Sequence, residues 1–131
     1  MSPALRPGDV LLIRGYSASS RPRRGDIVLL ERPGGRFLKR LIGLPGERVE
    51  AGQDGVRVDG QALPEPYVDD RSRAEPQAAL SWTLGPGEFL ALGDARDDSE
   101  DCRAWGPIEE EEIVGRAALR LWPPLKFGGA R

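Results

Sequence analysis

No histidine occurs anywhere in this chain, and cysteine occurs once, as Cys102. The missing histidine removes the Ser-His-Asp and Cys-His arrangements of hydrolytic catalysis. The single cysteine rules out an intrachain disulfide. Together the two absences exclude the usual structural zinc sites, so no metal and no cofactor are expected. No apolar run approaches the ~20 residues needed to cross a bilayer, and no leader or transit peptide is visible at the N-terminus. The chain as written is therefore expected to be soluble. Net charge is also small, −2 from 19 basic and 21 acidic residues. That balance gives no bulk attraction to nucleic acid, so no nucleic-acid partner is expected. Arg21, Arg23 and Arg24 form a local basic patch, read as a loop of solvated arginines.

What the chain does have is turn residues, 17 Gly and 12 Pro among 131. Its length fits one domain with a modest core. The punctuation implies many short strands and little helix. Gly8-Asp9 leads into Val10-Leu11-Leu12-Ile13, and Gly25-Asp26 leads into Ile27-Val28-Leu29-Leu30. Each pair reads as a turn before a buried strand, and the two look like turns of one type rather than a duplicated domain. A third strand is expected from Arg36 to Ile42, ended by Leu44-Pro45-Gly46. Val56 to Val58 and Gln61 to Leu63 flank Asp59-Gly60, a two-residue hairpin turn that needs positive φ. Ser81–Leu84, Glu88–Leu92 and Ile113–Trp122 complete the strands. Pro64 to Gln77 reads as a charged loop with no mechanism of its own, Pro107 to Glu112 as one helical turn or a solvated acidic run, and Pro123 to Arg131 as a frayed tail. The plan is a single mainly β domain over 1–131: a core at 1–58 and 81–122, a small insertion at 59–80 and a tail at 123–131.

Without histidine, proton transfer at neutral pH falls to Lys, Tyr, a carboxylate or the lone thiol. Of the two lysines, Lys126 lies in the tail and reads as a surface charge. Strand alternation puts Lys39 on one face with Phe37 and Leu41. Apolar neighbours there would desolvate the ammonium and lower its pKa, making a general base; alternatively the side chain snorkels to water at a sheet edge. The run Gly93 to Arg103 follows an apolar strand and interleaves Arg96 and Arg103 with carboxylates and Ser99. It reads either as a loop held by charge-assisted hydrogen bonds or as a solvated surface loop. Cys102, beside acidic residues, is a poor nucleophile.

These pieces in this order resemble the signal peptidase I family. Met1-Ser2-Pro3-Ala4-Leu5 with Gly8-Asp9 resembles the box Ser-Met-x-Pro-Thr-Leu that precedes a Gly-Asp and a strand. Lys39-Arg40-Leu41-Ile42-Gly43-Leu44-Pro45-Gly46-Glu47 resembles the lysine box. Gly93-Asp94-Ala95-Arg96, Ser99, Asp101-Cys102-Arg103 and Trp105-Gly106 resemble the third box, and Val114-Gly115-Arg116-Ala117 the closing segment. Departures are Ala4 for threonine, Glu47 for aspartate, Ala95 for asparagine and Cys102 for serine. The loss of an amide at Ala95 puts the rigidity of that loop in question.

The resemblance implies a signal-peptidase-like β fold of short antiparallel strands. It implies a Ser-Lys dyad that hydrolyses peptides through an acyl-enzyme, cleaving secretory leader peptides after small residues in an Ala-x-Ala pattern. Lys39 matches the general base and Ser99 the serine that positions it. Asp94, Asp101 and Arg103 match the polar network around the site, and Arg40 the base's structural neighbour. The nucleophilic serine is expected immediately before Met1, so the polypeptide as written is expected to be inactive. Ser2 is two positions away in the motif, about 6 to 7 Å along an extended chain, and does not substitute. The implied partners are signal peptides of secreted preproteins and a membrane, reached through an anchor upstream of Met1. The implied location is the extracytoplasmic face of the plasma membrane. Two other readings share parts of this pattern: a soluble Ser-Lys maturation protease, and a peptide-binding relative without catalysis.

Overall fold

The computed structural model describes residues 1, 5–74, 78–97 and 99–127. In chain order the strands are β1 (Val10–Arg14), β2 (Ile27–Arg32), β3 (Gly35–Gly43), β4 (Arg48–Gly52), β5 (Gly55–Val58), β6 (Gln61–Ala62), β7 (Leu80–Thr83), β8 (Glu88–Leu92), β9 (Ile108–Glu109), β10 (Ile113–Trp122) and β11 (Pro124–Lys126). Two short helices intervene, α1 (Asp70–Ala74) and α2 (Cys102–Trp105), with a 3-10 turn at Glu110–Glu112. The mainly β class follows directly.

Seven strands form one sheet in the order β1-β10-β2-β3-β8-β9, with β11 folding back on β10. Four form a second sheet, β6-β5-β4-β7. All pairings are antiparallel. The second sheet takes in residues on both sides of the 59–80 segment, since β4 and β7 are its paired inner and edge strands. One core joins the sheets: Val28, Leu30, Leu41, Ile42, Leu90 and Leu92 from the first meet Val49, Ala51 and Val56 from the second. A smaller cluster of Leu5, Ile27 and Ala117 lies apart, with Met1, Leu38 and Phe127 packed on it.

The strands are separated by four turns of one design. Arg6-Pro7-Gly8-Asp9, Arg23-Arg24-Gly25-Asp26, Leu44-Pro45-Gly46-Glu47 and Gly85-Pro86-Gly87-Glu88 each place glycine third, with φ of 93°, 91°, 86° and 70°. That is the left-handed position a type II turn reserves for glycine. In each, the fourth residue's backbone N–H donates to the first residue's carbonyl, at 3.1 to 3.2 Å. Its carboxylate in turn accepts from the first residue's N–H, at 3.0, 3.0, 2.7 and 2.6 Å. Glu47 therefore does the work of an aspartate from one methylene further out. It also accepts both arms of Arg24, at 2.6 and 2.7 Å. Arg24 is thus a tie between β3 and the turn at the head of β2, not a solvated side chain as the sequence suggested. Asp59 and Gly60 carry the positive φ expected of the hairpin, 50° and 84°.

Four segments differ from the sequence-based expectation. β1 lies at the edge of its sheet and leaves Val10 and Leu12 exposed instead of buried. Pro124–Lys126 pairs with Leu119–Leu121 instead of fraying, because β10 outruns β2 and leaves backbone groups to satisfy. Residues 128–131 of that tail lie outside the described residues. Pro107 to Glu112 divides into β9 and the 3-10 turn, capped by Glu109 and Glu112 side chains. Residues 64–74 are not an idle loop: they include α1 and the buried residues Glu65, Val68 and Ser72.

Candidate active site

The site is built where β3 passes the loop that follows β8. In β3, alternation sends Phe37 and Leu41 into the main core and Leu38 to the smaller cluster. A register shift between Leu41 and Gly43 then turns Ile42 inward as well. Lys39 is half-buried on this strand and donates from Nζ to Ser99 Oγ at 3.0 Å. Sixty positions separate the two residues. Burial lowers the Lys39 pKa below the ordinary lysine value; Arg103 lowers it further, while Asp101 and Glu100 oppose the shift. The Met1 ammonium is lowered too, by burial first and then by the charge of Lys39, which places the two amines within each other's field.

Gly93 sits under this pair. A Cβ on Gly93 would lie 1.9 Å from Ser99 Oγ and 3.6 Å from Lys39 Nζ, so the space a side chain would need is taken by the Ser99 hydroxyl. The Gly93 backbone is held from both ends: its N–H donates to Asp101 Oδ2 at 2.9 Å and its carbonyl accepts from Arg96 Nε at 2.8 Å.

Three arginine–carboxylate pairs surround the loop. Arg40 grips Asp94 with Nε and a terminal nitrogen, at 3.0 and 2.8 Å, donates to the Gly25 carbonyl at 3.0 Å, and lies 4.1 Å over the Tyr67 ring. Arg103 grips Asp101 in the same way, at 2.9 and 2.8 Å, and donates to the Arg96 carbonyl at 2.8 Å. Arg96 grips Glu65, whose side chain is 1% exposed. Forked, charge-assisted contacts of this kind fix both partners in the plane of the pair. Asp101 also caps α2 by accepting from Arg103 N. Burial pushes its carboxyl up, but the Arg103 fork and the two backbone donors outweigh that and hold it below the usual carboxylate range. The loop is thus stapled by Arg96 and Arg103 despite the alanine at position 95.

Lys39, Ser99, Asp94, Asp101, Arg103 and Arg40 are therefore brought to one place, with Lys39 on Ser99 and the others in the supporting pairs. Ser2 lies outside the described residues. Cys102 is wholly buried, accepts from Ala91 N at 3.2 Å, and has its thiol pushed up to about 12, chiefly by burial. It is a packing residue. Sequence reasoning passed over Glu65 and Tyr67. A Glu-Pro-Tyr step in a polar segment has no periodicity to mark it, and its partners lie tens of residues away.

The family model described as signal peptidase, peptidase S26, matches residues 1–122. The chain belongs to this family. Among its relatives are a probable signal peptidase I-2 of Synechocystis, 36% identical over 98% of this chain, and a signal peptidase I of Leptolyngbya laminosa, 35% identical over 98%. A signal peptidase IB of Staphylococcus aureus is 31% identical over 97%. The chain spans 62%, 67% and 75% of the lengths of these three proteins. The crystal structure of a signal peptidase I from Enterococcus faecalis superposes with a TM-score of 0.65 at 31% identity, covering 73% of this chain and 96% of that one. The S26 fold expected from the sequence is thus the fold observed. No helix among the described residues is long and apolar enough to cross a membrane.

Proposed function

We propose that this signal peptidase family member is the catalytic core of a Ser-Lys endopeptidase that cleaves secretory leader peptides after small residues. The observation that carries the reading is Lys39: a half-buried amine, lowered in pKa by burial, held by Ser99 and within the field of the Met1 amino group. In the proposed reaction the neutral amine takes the proton of a serine hydroxyl as its oxygen attacks the scissile carbonyl. The resulting ammonium returns that proton to the departing amine, leaving an acyl-enzyme. Water then attacks the ester, again giving its proton to Lys39, and the serine is released. Ser99 keeps the amine aimed through both halves, and the Asp94 and Asp101 pairs keep Ser99 in place. In this reading the serine is the residue before Met1, whose partly buried amino group feels the charge of Lys39.

A membrane setting is part of the proposal. Val10 and Leu12 of β1, two apart on one face, and Trp122 of β10, which pairs with Val10, leave an apolar strip in solvent, with Trp122 68% exposed. Such a strip on neighbouring strands suits a bilayer surface better than water.

The test joins a serine directly to Met1 and follows cleavage of a synthetic leader peptide with an Ala-x-Ala end. Cleavage at that bond is expected, with loss of turnover on Lys39→Met. A serine-extended chain that binds the peptide without cutting it would favour the non-catalytic reading.

A further inference from the structure

Residues 64–74 reach across to the site at three points, two on the 93–103 loop and one on β3. The Glu65 carboxylate is gripped by both terminal nitrogens of Arg96. The Tyr67 ring lies under the Arg40 guanidinium that holds Asp94, and its phenol donates to Glu65 at 3.4 Å. Ser72 donates to Asp97 Oδ1 at 2.5 Å. Of these, the Glu65 contact is the most deeply buried, with side-chain exposures of 1% for Glu65 and 4% for Arg96.

The side-chain hydrogen bonds of Arg96 go to Gly93 and Glu65. Its Nε holds the Gly93 carbonyl at 2.8 Å, and Gly93 is the backbone against which the Ser99 hydroxyl rests. The line of contacts therefore runs from Glu65 through Arg96 and Gly93 to Ser99 and Lys39. Arg96 needs a carboxylate to stay there. A guanidinium buried without one is expelled toward water, and its Nε would leave the carbonyl with it. The peptide at Gly93 would then be held only from the Asp101 side, free to rotate against Ser99. The other described carboxylates of the 93–103 loop have partners of their own: Asp94 holds Arg40, Asp101 holds Arg103, Asp97 accepts from Ser72 and Glu100 from the Trp105 indole.

We propose that Glu65 is a positioning residue of this site, fixing the Lys39–Ser99 contact through Arg96 and the Gly93 carbonyl. This rests on Lys39 being the general base. Glu65 sits 31 positions before Arg96, outside the boxes that mark the family. The device couples the second sheet's connection to the chemistry in the first.

The test reads Lys39 directly. The chain holds two lysines, so ¹³C-lysine labelling gives two ε-carbon signals, and Lys126→Arg leaves one to titrate. Two variants are compared: Glu65→Gln, which keeps the shape, and the pair Glu65→Leu with Arg96→Met, which leaves no buried charge unpaired. In both, the Lys39 midpoint is expected to rise toward the ordinary lysine value. In the serine-extended chain, kcat is expected to fall on the order of tenfold to a hundredfold, with KM changed less than about twofold, as for a reacting group moved by a fraction of its bond length. The acidic limb of the pH–rate profile should move up with the Lys39 midpoint. Folded variants with an unmoved midpoint and unchanged kcat would overturn the proposal. Loss of cooperative unfolding in both would also overturn it, by making Glu65 a determinant of the fold. Should the serine-extended parent cut no leader peptide, the peptidase reading falls, while the titration still decides whether Glu65 positions Lys39.

Discussion

Gly93→Ala isolates the geometry of the site in one methyl group. The added Cβ would stand 1.9 Å from Ser99 Oγ and 2.6 Å from Ser99 Cβ. Ordinary contact begins near 3.4 Å. One side must yield by about 1.5 Å, and the Gly93 backbone is pinned by Asp101 and Arg96, so Ser99 must move. A retreat of that size breaks the 3.0 Å contact with Lys39 Nζ. Overpacking of about 1–3 kcal/mol and a lost hydrogen bond of about 1 kcal/mol give an expected destabilisation of about 2–4 kcal/mol. Gly43→Ala is the matched control. Its Cβ would meet Val49 Cγ2 at 2.7 Å and Leu84 Cδ1 at 2.8 Å, in the core between the sheets. Urea denaturation should show comparable losses for the two variants, but only Gly93→Ala should move the Lys39 titration. Adding Ser99→Gly to Gly93→Ala makes room for the methyl, so most of the stability should return while Lys39 stays without its hydroxyl partner. An unshifted Lys39 in a folded Gly93→Ala chain would refute this account of the glycine.

Two further outcomes follow from the buried charges. Asp101→Asn removes the charge that binds Arg103 and weakens the acceptor of Gly93 N–H; calorimetry should show a loss of about 3 kcal/mol, and a loss under about 1 kcal/mol would mean that Arg103 finds another partner. Because the Asp101 carboxyl is held low in the folded chain, its contribution is present above the ordinary carboxylate value, about 3.9, and disappears as pH falls through the folded value. Lys39 has the same sign, because its folded pKa is lowered too, but here it is the charged form that the fold disfavours. The unfolded chain takes up its proton below about 10.4, the folded chain only below its lowered value. Stability therefore drops as pH descends through that interval and is constant beneath it. Lys39→Met removes the burden and should raise stability at pH 7, read as a higher urea midpoint, while abolishing turnover in the serine-extended chain. A destabilised Lys39→Met chain would argue that the amine is there for packing.

Much of the fold is legible because its signals are local. Each Gly-Asp or Gly-Glu turn closes within four residues, and the apolar runs behind Gly25-Asp26 and Gly87-Glu88 end up as buried strands. Glu88–Leu92 and Ile113–Trp122 are strands over the same residues that the pattern marks. Arg48–Gly52 went unread because its alternation rests on two small or medium residues, Val49 and Ala51, between charges. Helix α2 went unread because four residues inside a charged run carry no helical period; its cap, Asp101, is the sign that was available. At the site, alternation placed Lys39 beside Phe37 and Leu41, whereas Ser99, Asp94, Asp101 and Arg103 were named through the family resemblance. Glu65 and Tyr67 could not be named either way. An ion pair is recognised by its partner, and theirs are brought close only by the way the second sheet folds onto the first.

The thiol of Cys102 offers a use outside catalysis. It is closed off between α2 and β8, protonated far above physiological pH, and the chain has no other sulfhydryl. Maleimides and disulfide reagents should therefore pass it by until α2 lifts from the sheet. Its labelling rate becomes an intrinsic clock for the opening of that corner, readable by mass spectrometry without introducing any foreign probe.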